Sequence, residues 1–282
     1  MPRVDNKLVA KNTILLYVRM FLMMAISLYT SRLVLRILGV EDYGIYNVVG
    51  GLVAMFSFLN ATMSGATSRF ITFELGKNSS KVQTVFSVAL TIHIIIALIV
   101  FLIGETFGLW FLENKLTIPA TKMYEAKWLL QFSIVTMIFS FTQVPYNASI
   151  IAHEKMNIYA YFELVNVGLK LLSVYLLLII DANKLIFYGA IVMLTQIGVT
   201  LLYRLYCTRK WEHCKFNLSL DREFLRPLLS YSGWDLFGNA SLVARTQGVN
   251  VLLNIFFGAI LNAAAGIAMQ VQTAAMSFAT NV

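Results

Sequence analysis

The sequence predicts an all-α protein that crosses a membrane several times, and three observations carry that prediction. Apolar residues are 59 % of the chain and charged residues only 13 %, against about 45–50 % and about 25 % in soluble domains. The apolar residues come in runs of about 20, the length a helix needs to cross a hydrocarbon core of roughly 30 Å. No stretch alternates apolar and polar residues as barrel strands do, which leaves helices as the spanning structure that satisfies its own backbone.

Taken in order, spans are expected near residues 12–38, 44–64, 83–110, 126–150, 158–180, 185–206, 228–257 and 263–282, about eight in all. The basic N-terminus resembles the start of a signal peptide, but the apolar run after it is too long and no cleavage site follows, so it reads as the first span. Glu41, Asp42 and Gly44 mark a tight corner before the second span. Gln143, Pro145 and Asn147 mark a local break in the fourth. A basic loop from Arg204 to Pro227 follows the sixth, where Asp221 is placed to cap a short amphipathic helix lying in the interface. The domain organisation is then a six-helix bundle over 1–208, a basic linker over 209–227 and the first two helices of a second bundle over 228–282.

Charge sets the orientation. With the N-terminus inside, thirteen Lys and Arg fall on the inner side and six on the outer, with Arg19, Lys170 and Arg245 within spans. That asymmetry favours a cytoplasmic N-terminus. It also accounts for the net charge of +8 and the pI near 9.5 without invoking nucleic acid. The stretch around this first corner recurs weakly near the C-terminus: laid without gaps, Gly39 falls on Gly258 and Ile45 on Ala264. An even number of spans between the copies makes the repeat parallel, with its axis along the membrane normal. A complete second unit would need six spans, so the chain is expected to be a C-terminally incomplete version of a longer protein.

A charge near the bilayer centre costs about 2.5–3.5 kcal/mol on the insertion scale, so each one needs a reason. Arg19 shares a polar stripe with Asn12, Ser27 and Thr30; it either lines a cavity or snorkels to the inner interface. Tyr159, Glu163, Asn166, Lys170 and Ser173 make a stripe in the fifth span. Lys170, close to mid-span, reads as cavity lining or as a structural partner of another helix. The seventh span is the most polar, with Asp235, Asn239, Arg245, Thr246, Gln247, Asn250 and Asn254 over a broad face. It suits a water-filled cavity between bundles, or hydrogen bonding between helices. His93 reads as a packing residue before a proton carrier, and the Gly104–Gly108 pair as weak evidence of helix packing. Cys207 and Cys214, with His213, lack metal-site spacing and read as reduced thiols. No carboxylate pair, phosphate-binding glycine loop or metal cluster is evident, so neither an enzyme nor a resident cofactor is expected.

The run RLVLRILGVEDYGIYNVVGGLVAMFSFLNATMSGATSRFITFELG resembles the beginning of bacterial polysaccharide and O-antigen flippases. These belong to the multidrug/oligosaccharidyl-lipid/polysaccharide flippase superfamily. The resemblance rests on Leu38-Gly39, the acidic Glu41 and Asp42, then Tyr43 and Gly44, and on the basic stretch from Arg69 to Lys81. It implies a MATE-like pair of bundles around a central cavity. It further implies transport of undecaprenyl-pyrophosphate-linked oligosaccharide across a bacterial inner membrane by alternating access, with H+ or Na+ as coupling ion and other polysaccharide-assembly membrane proteins as partners. Arg19 matches the cationic first-span residues that meet the pyrophosphate in such proteins. Lys170, Asp235, Asn239, Arg245 and Asn250 are the remaining cavity candidates. The alternatives are a multidrug or cation antiporter of the same superfamily, and an inactive fragment.

Overall fold

A computed structural model describes the backbone of residues 6–77, 80–179 and 183–280, and the side chains from residue 21 onward except Trp234 and residues 274, 275 and 277–280. Among the described residues the chain is helical and has no strand. Nine α-helices follow in order: α1 (Asn6–Ala54), α2 (Ser57–Gly76), α3 (Val82–Ile103), α4 (Leu109–Asn114), α5 (Met123–Ala152), α6 (Met156–Ile179), α7 (Lys184–Lys210), α8 (Arg222–Phe257) and α9 (Ala259–Thr280). Among the described residues five helical runs are long and apolar enough to cross a membrane: Phe21–Ala54, Val82–Asn114, Ala120–Ala152, Met156–Ile179 and Lys184–Lys210. This is a multi-pass membrane protein in composition and in helix length.

The first corner turns on Gly39, whose φ of 82° and ψ of 169° interrupt α1. The sequence put the turn at Glu41, Asp42 and Gly44. These instead open the second arm of α1, where carboxylates favour the positive end of the helix dipole. Gly258, between α8 and α9, has φ 79° and ψ −172°, so the two glycines that the sequence aligns share one unusual backbone geometry. The second arm of α1 then runs into α2 through a tight kink, in which Phe56 N–H bonds Val53 O at 3.1 Å and Leu59 N–H bonds Phe56 O at 3.1 Å.

Two further expectations are revised. The interfacial helix at 221–231 is not separate. Asp221 does cap it, its side chain accepting from Glu223 N–H at 2.9 Å, but the helix continues through Pro227 as the single α8 of 36 residues. Pro227 is the sixth residue of that helix and removes the one bond that an N–H there would make to Glu223 O, without ending the helix. Likewise Pro145 lies inside α5 without breaking it. The hydroxyls of Thr142 and Thr200 donate to Phe139 O nearby, supplying polar partners around the proline turn.

Helix α5 is the hub, packing on α1, α2, α3 and α7. Gly104 and Gly108 bound a π-helical turn between α3 and α4. A Cβ at Gly104 would come within 2.7 Å of Ile134 Cδ1, so glycine lets α3 close on α5 there. The buried apolar residues form two clusters. One, around Val48, Leu112, Leu130 and Ala263, includes residues beside both glycine corners; we call this the corner end. The other, around Phe86, Tyr146, Tyr203 and Leu228, lies by the 211–221 loop; we call this the basic end. His93 is fully buried, its Nδ1 2.7 Å from Ala89 O, as a packing residue would be.

Helix α9 packs on α1, and the two run side by side away from the corner end. Glycine makes the approach possible. A Cβ at Gly44 would overlap the Ala259 carbonyl oxygen, and one at Gly266 would lie 2.5 Å from Asn47 Nδ2. Helix α8 packs on α2. Thus α8 and α9 each rest on the first hairpin, and the space left between the halves is the candidate site.

Candidate functional site

A cavity of about 720 Å³ opens between α1, α6, α8 and α9. That volume falls within the roughly 300–1,000 Å³ of small-molecule sites. Its walls are partly apolar, with Met23, Met24, Leu28, Val167 and Met269, and its polar groups come from every one of the four helices. Ser27, Tyr46 and Asn47 come from α1; Glu163, Asn166 and Lys170 from α6; Gln247 and Asn250 from α8; Gln270 and Thr273 from α9. A side cavity of about 230 Å³ shares Ser27, Tyr46, Lys170 and Gln270 and adds Thr30, Ser31 and Tyr188. Another of about 230 Å³ shares Tyr46, Gly50 and Ala54 and reaches Ser133, Thr136, Ser140 and Gln196. Tyr46, which lines all three spaces, is held against Tyr188 with ring centroids 4.9 Å apart.

The stripe on α6 is delivered by helical spacing. Glu163, Asn166 and Lys170 fall at steps of three and four on one face and line the same cavity. Seven residues separate the carboxylate from the ammonium, about 10.5 Å along the axis. Lys170 is exposed to the cavity and takes part in no ion pair among the described residues.

Several amides around the cavity carry a buried atom without a protein partner: Asn47 Nδ2, Asn166 Oδ1, Asn250 Oδ1 and Gln270 Oε1. Leaving such a group unbonded costs about 1–3 kcal/mol. The cavity itself has the size and the polar lining to hold water or a polar ligand. The rest of the network holds the walls. Gln270 Nε2 donates to Tyr43 Oη at 3.3 Å, Asn262 Nδ2 to Asn250 O at 3.0 Å, and Asn250 Nδ2 to Gln247 Oε1 at 3.3 Å.

Of the six candidates from the sequence, Lys170 and Asn250 come together on this cavity. Asn239 instead ties α8 to α2, its Nδ2 donating to Thr62 Oγ1 at 3.1 Å and to Asp235 O at 3.1 Å. Asp235 and Arg245 are exposed and do not line the cavity. The broad polar face of α8 therefore divides among three surroundings. Arg19 lies in the helical part of α1, but its side chain is outside the described residues.

Asn47, Tyr46 and Gln270 were not singled out by the sequence. They sit in short polar interruptions of apolar runs, Tyr46 beside Asn47 and Gln270 near Gln272 and Thr273, and the packing of α1 on α9 brings them to one space. Glu105 was missed as well. It sits in the π-turn with Oε2 accepting from Gln131 Nε2 at 3.0 Å and Oε1 buried without a partner; it lies away from the cavity.

A strap ties the elements together at the corner end. The loop before α5 reaches α8, where Thr117 N–H donates to Asn254 Oδ1 at 2.8 Å and Thr117 O accepts from Asn254 Nδ2 at 3.4 Å. Lys122 pairs with Asp42 at 2.8 Å in the same region. At the basic end, the Cys207 and Cys214 thiols are free and buried. Beside them His153 stacks on Trp211, with ring centroids 4.2 Å apart and planes 6° apart. No group of His, Cys, Asp and Glu among the described residues is arranged to hold a metal ion. Comparison with family models, curated proteins and solved structures finds no match to this chain.

Proposed function

We propose that this chain moves a lipid-linked oligosaccharide with a pyrophosphate head between the leaflets of a bacterial inner membrane. The single observation that carries the reading is the cavity of about 720 Å³ between the first hairpin and α6 on one side and α8 and α9 on the other. Its lining is what a glycan needs. Amide side chains meet hydroxyls, and Lys170 meets phosphate as a point charge. A prenyl tail can stay in lipid while only the polar head enters the cavity.

The architecture behind this reading has eight membrane passes. The run Phe21–Ala54 bends at Gly39 and so supplies the first pass and the start of a second, which α2 completes. Helices α3 with α4, then α5, α6, α7, α8 and α9, supply the other six. The shared geometry of Gly39 and Gly258 supports a parallel repeat, in which α8 and α9 begin a second MATE-like unit. Alternating access then rocks that unit against the first, with the strap at Thr117 and Asn254 opening and closing one end. The N-terminus is cytoplasmic, from the distribution of Lys and Arg, and H+ or Na+ gradients supply the drive.

Glu163 on the same wall favours a second reading, export of an organic cation, in which the carboxylate binds substrate. The two readings separate in cells that depend on the protein, by measuring undecaprenyl-linked oligosaccharide on each leaflet at equal protein levels. The flippase reading expects build-up on the cytoplasmic leaflet with Lys170→Ala, near-normal transport with Arg245→Ala, and tolerance of Glu163→Gln. Normal transport by Lys170→Ala would remove the cationic site. Loss of drug resistance with Glu163→Gln, without glycolipid build-up, would establish the antiporter instead.

A further inference from the structure

We propose that the groove between the end of α2 and the beginning of α8 binds the headgroup phosphate of an anionic membrane lipid. This is independent of the transport reading and uses none of the central cavity's residues. The groove encloses about 520 Å³ and is lined by Arg69, Phe70, Phe73, Pro227, Ser230 and Tyr231. It combines one guanidinium and the Ser230 and Tyr231 hydroxyl-bearing side chains with an apolar floor, a set of chemistries that complements a phospholipid.

The guanidinium is held ready. Arg69 Cζ lies 4.8 Å from the centroid of the Tyr231 ring, and such stacking fixes the plane of the fork without using its N–H donors. The neighbouring carboxylates are engaged elsewhere. Glu74 pairs with Lys77 at 3.4 Å, Glu223 with Lys81 at 2.6 Å, and Asp221 caps α8. Arg69 is in no ion pair among the described residues. An anionic phosphate is the complement of that charge, and a bidentate guanidinium is its usual partner.

The groove also has an apolar side. Arg69 is seven residues before the end of α2 at Gly76, about 10.5 Å along the axis. Phe73, 59 % exposed, lies nearer that end with Lys77 Nζ 4.0 Å above its ring. Phe70, Phe73 and Pro227 give the phosphate held at Arg69 an apolar floor against which the rest of a lipid can lie. Basic pockets between membrane helices hold anionic headgroups by the same arrangement.

The test uses the full chain, purified into nanodiscs of mixed phosphatidylglycerol and phosphatidylcholine. Native mass spectrometry then counts the lipids that stay bound after release. Selective retention of phosphatidylglycerol is expected, falling about fivefold with Arg69→Gln, the effect of one interfacial cation. Arg226→Gln, outside the groove, should leave retention near that of the unsubstituted chain. Should Arg69→Gln fail to accumulate, Arg69→Lys keeps the charge, loses the fork, and is expected to retain less lipid than the unsubstituted chain. Unchanged retention in the Arg69 variant, or an equal fall in both Arg variants, would overturn the site in favour of diffuse surface charge. Displacement of the lipid by inorganic phosphate alone would overturn the lipid assignment and leave a phosphate site.

Discussion

The two glycine corners give the sharpest test of the fold, because substitution there isolates backbone strain from packing. Gly39 and Gly258 hold φ of 82° and 79° with extended ψ, a region essentially restricted to glycine. A Cβ at Gly39 meets nothing within 4 Å, and one at Gly258 meets only Thr117 Cγ2 at 3.9 Å, an ordinary contact. Alanine at either position therefore costs the strain alone, about 1–3 kcal/mol. Stiffening of the unfolded chain returns about 0.4–1 kcal/mol. A net loss of about 0.5–2 kcal/mol per corner remains. The control is Gly65→Ala, exposed, inside α2 and with nothing within 4 Å of its Cβ. It should gain up to about 1 kcal/mol of helix propensity. At roughly 2–4 °C per kcal/mol, thermal unfolding of the purified protein in detergent separates the two outcomes by several degrees. The reasoning fails if Gly39→Ala and Gly258→Ala move upward with Gly65→Ala, for then neither corner requires its observed backbone.

Asn254→Ala should destabilise the corner end by about 2 kcal/mol, since Asn254 is fully buried and the change strands the Thr117 N–H and C=O it now bonds; denaturant unfolding of the variant reads this directly. Acidification should weaken the basic end. Burial pushes the His153 imidazole below its ordinary pKa, and His213 and Lys155 push it the same way. The unfolded chain then takes up the proton more readily than the folded one, so this stability is complete above about pH 6.5 and drains as pH falls below it. Unfolding midpoints at pH 7.5 and 5.5 should differ less in His153→Gln than in the unsubstituted chain; an unchanged difference would exclude His153 as the group responsible.

The helices were legible because each has a local cause written in consecutive residues. Apolar runs of spanning length set α3, α5, α6 and α7, and an aspartate before the first turn set the start of α8. Gly39 was legible only through its alignment with Gly258. The acidic pair beside it attracted the turn assignment, yet carboxylates in a first helical turn are as natural as in a corner. The fate of α8's polar face was not legible at all. Its periodicity says that Asp235, Asn239, Arg245, Asn250 and Asn254 are polar at related angles, but not what lies opposite each. Asn239 finds Thr62, Asn254 finds Thr117, Asn250 finds the cavity, and Asp235 and Arg245 find none of these. Helical angle repeats every turn, whereas the surroundings change along the axis as α8 passes first α2, then the cavity, then the strap.

That division bears on what the cavity can hold. A count of charges along the sequence makes the interior cationic through Arg19, Lys170 and Arg245, but Arg245 does not line it and the Arg19 side chain lies outside the described residues. Among the described lining residues, Lys170 is balanced by Glu163 on the same helix face. The wall formed by α6 is thus dipolar, positive near mid-span and negative about two turns toward the basic end. The facing wall, from α1, α8 and α9, offers the neutral amides of Asn47, Asn250 and Gln270. A compact hydrophobic cation would gain from the carboxylate but make no use of those amides. Under the proposed transport reading, a hydroxyl-rich head with phosphate at one end bonds amides along its length and meets Lys170 at its end, so the amides, more than the cation, favour a glycan as cargo.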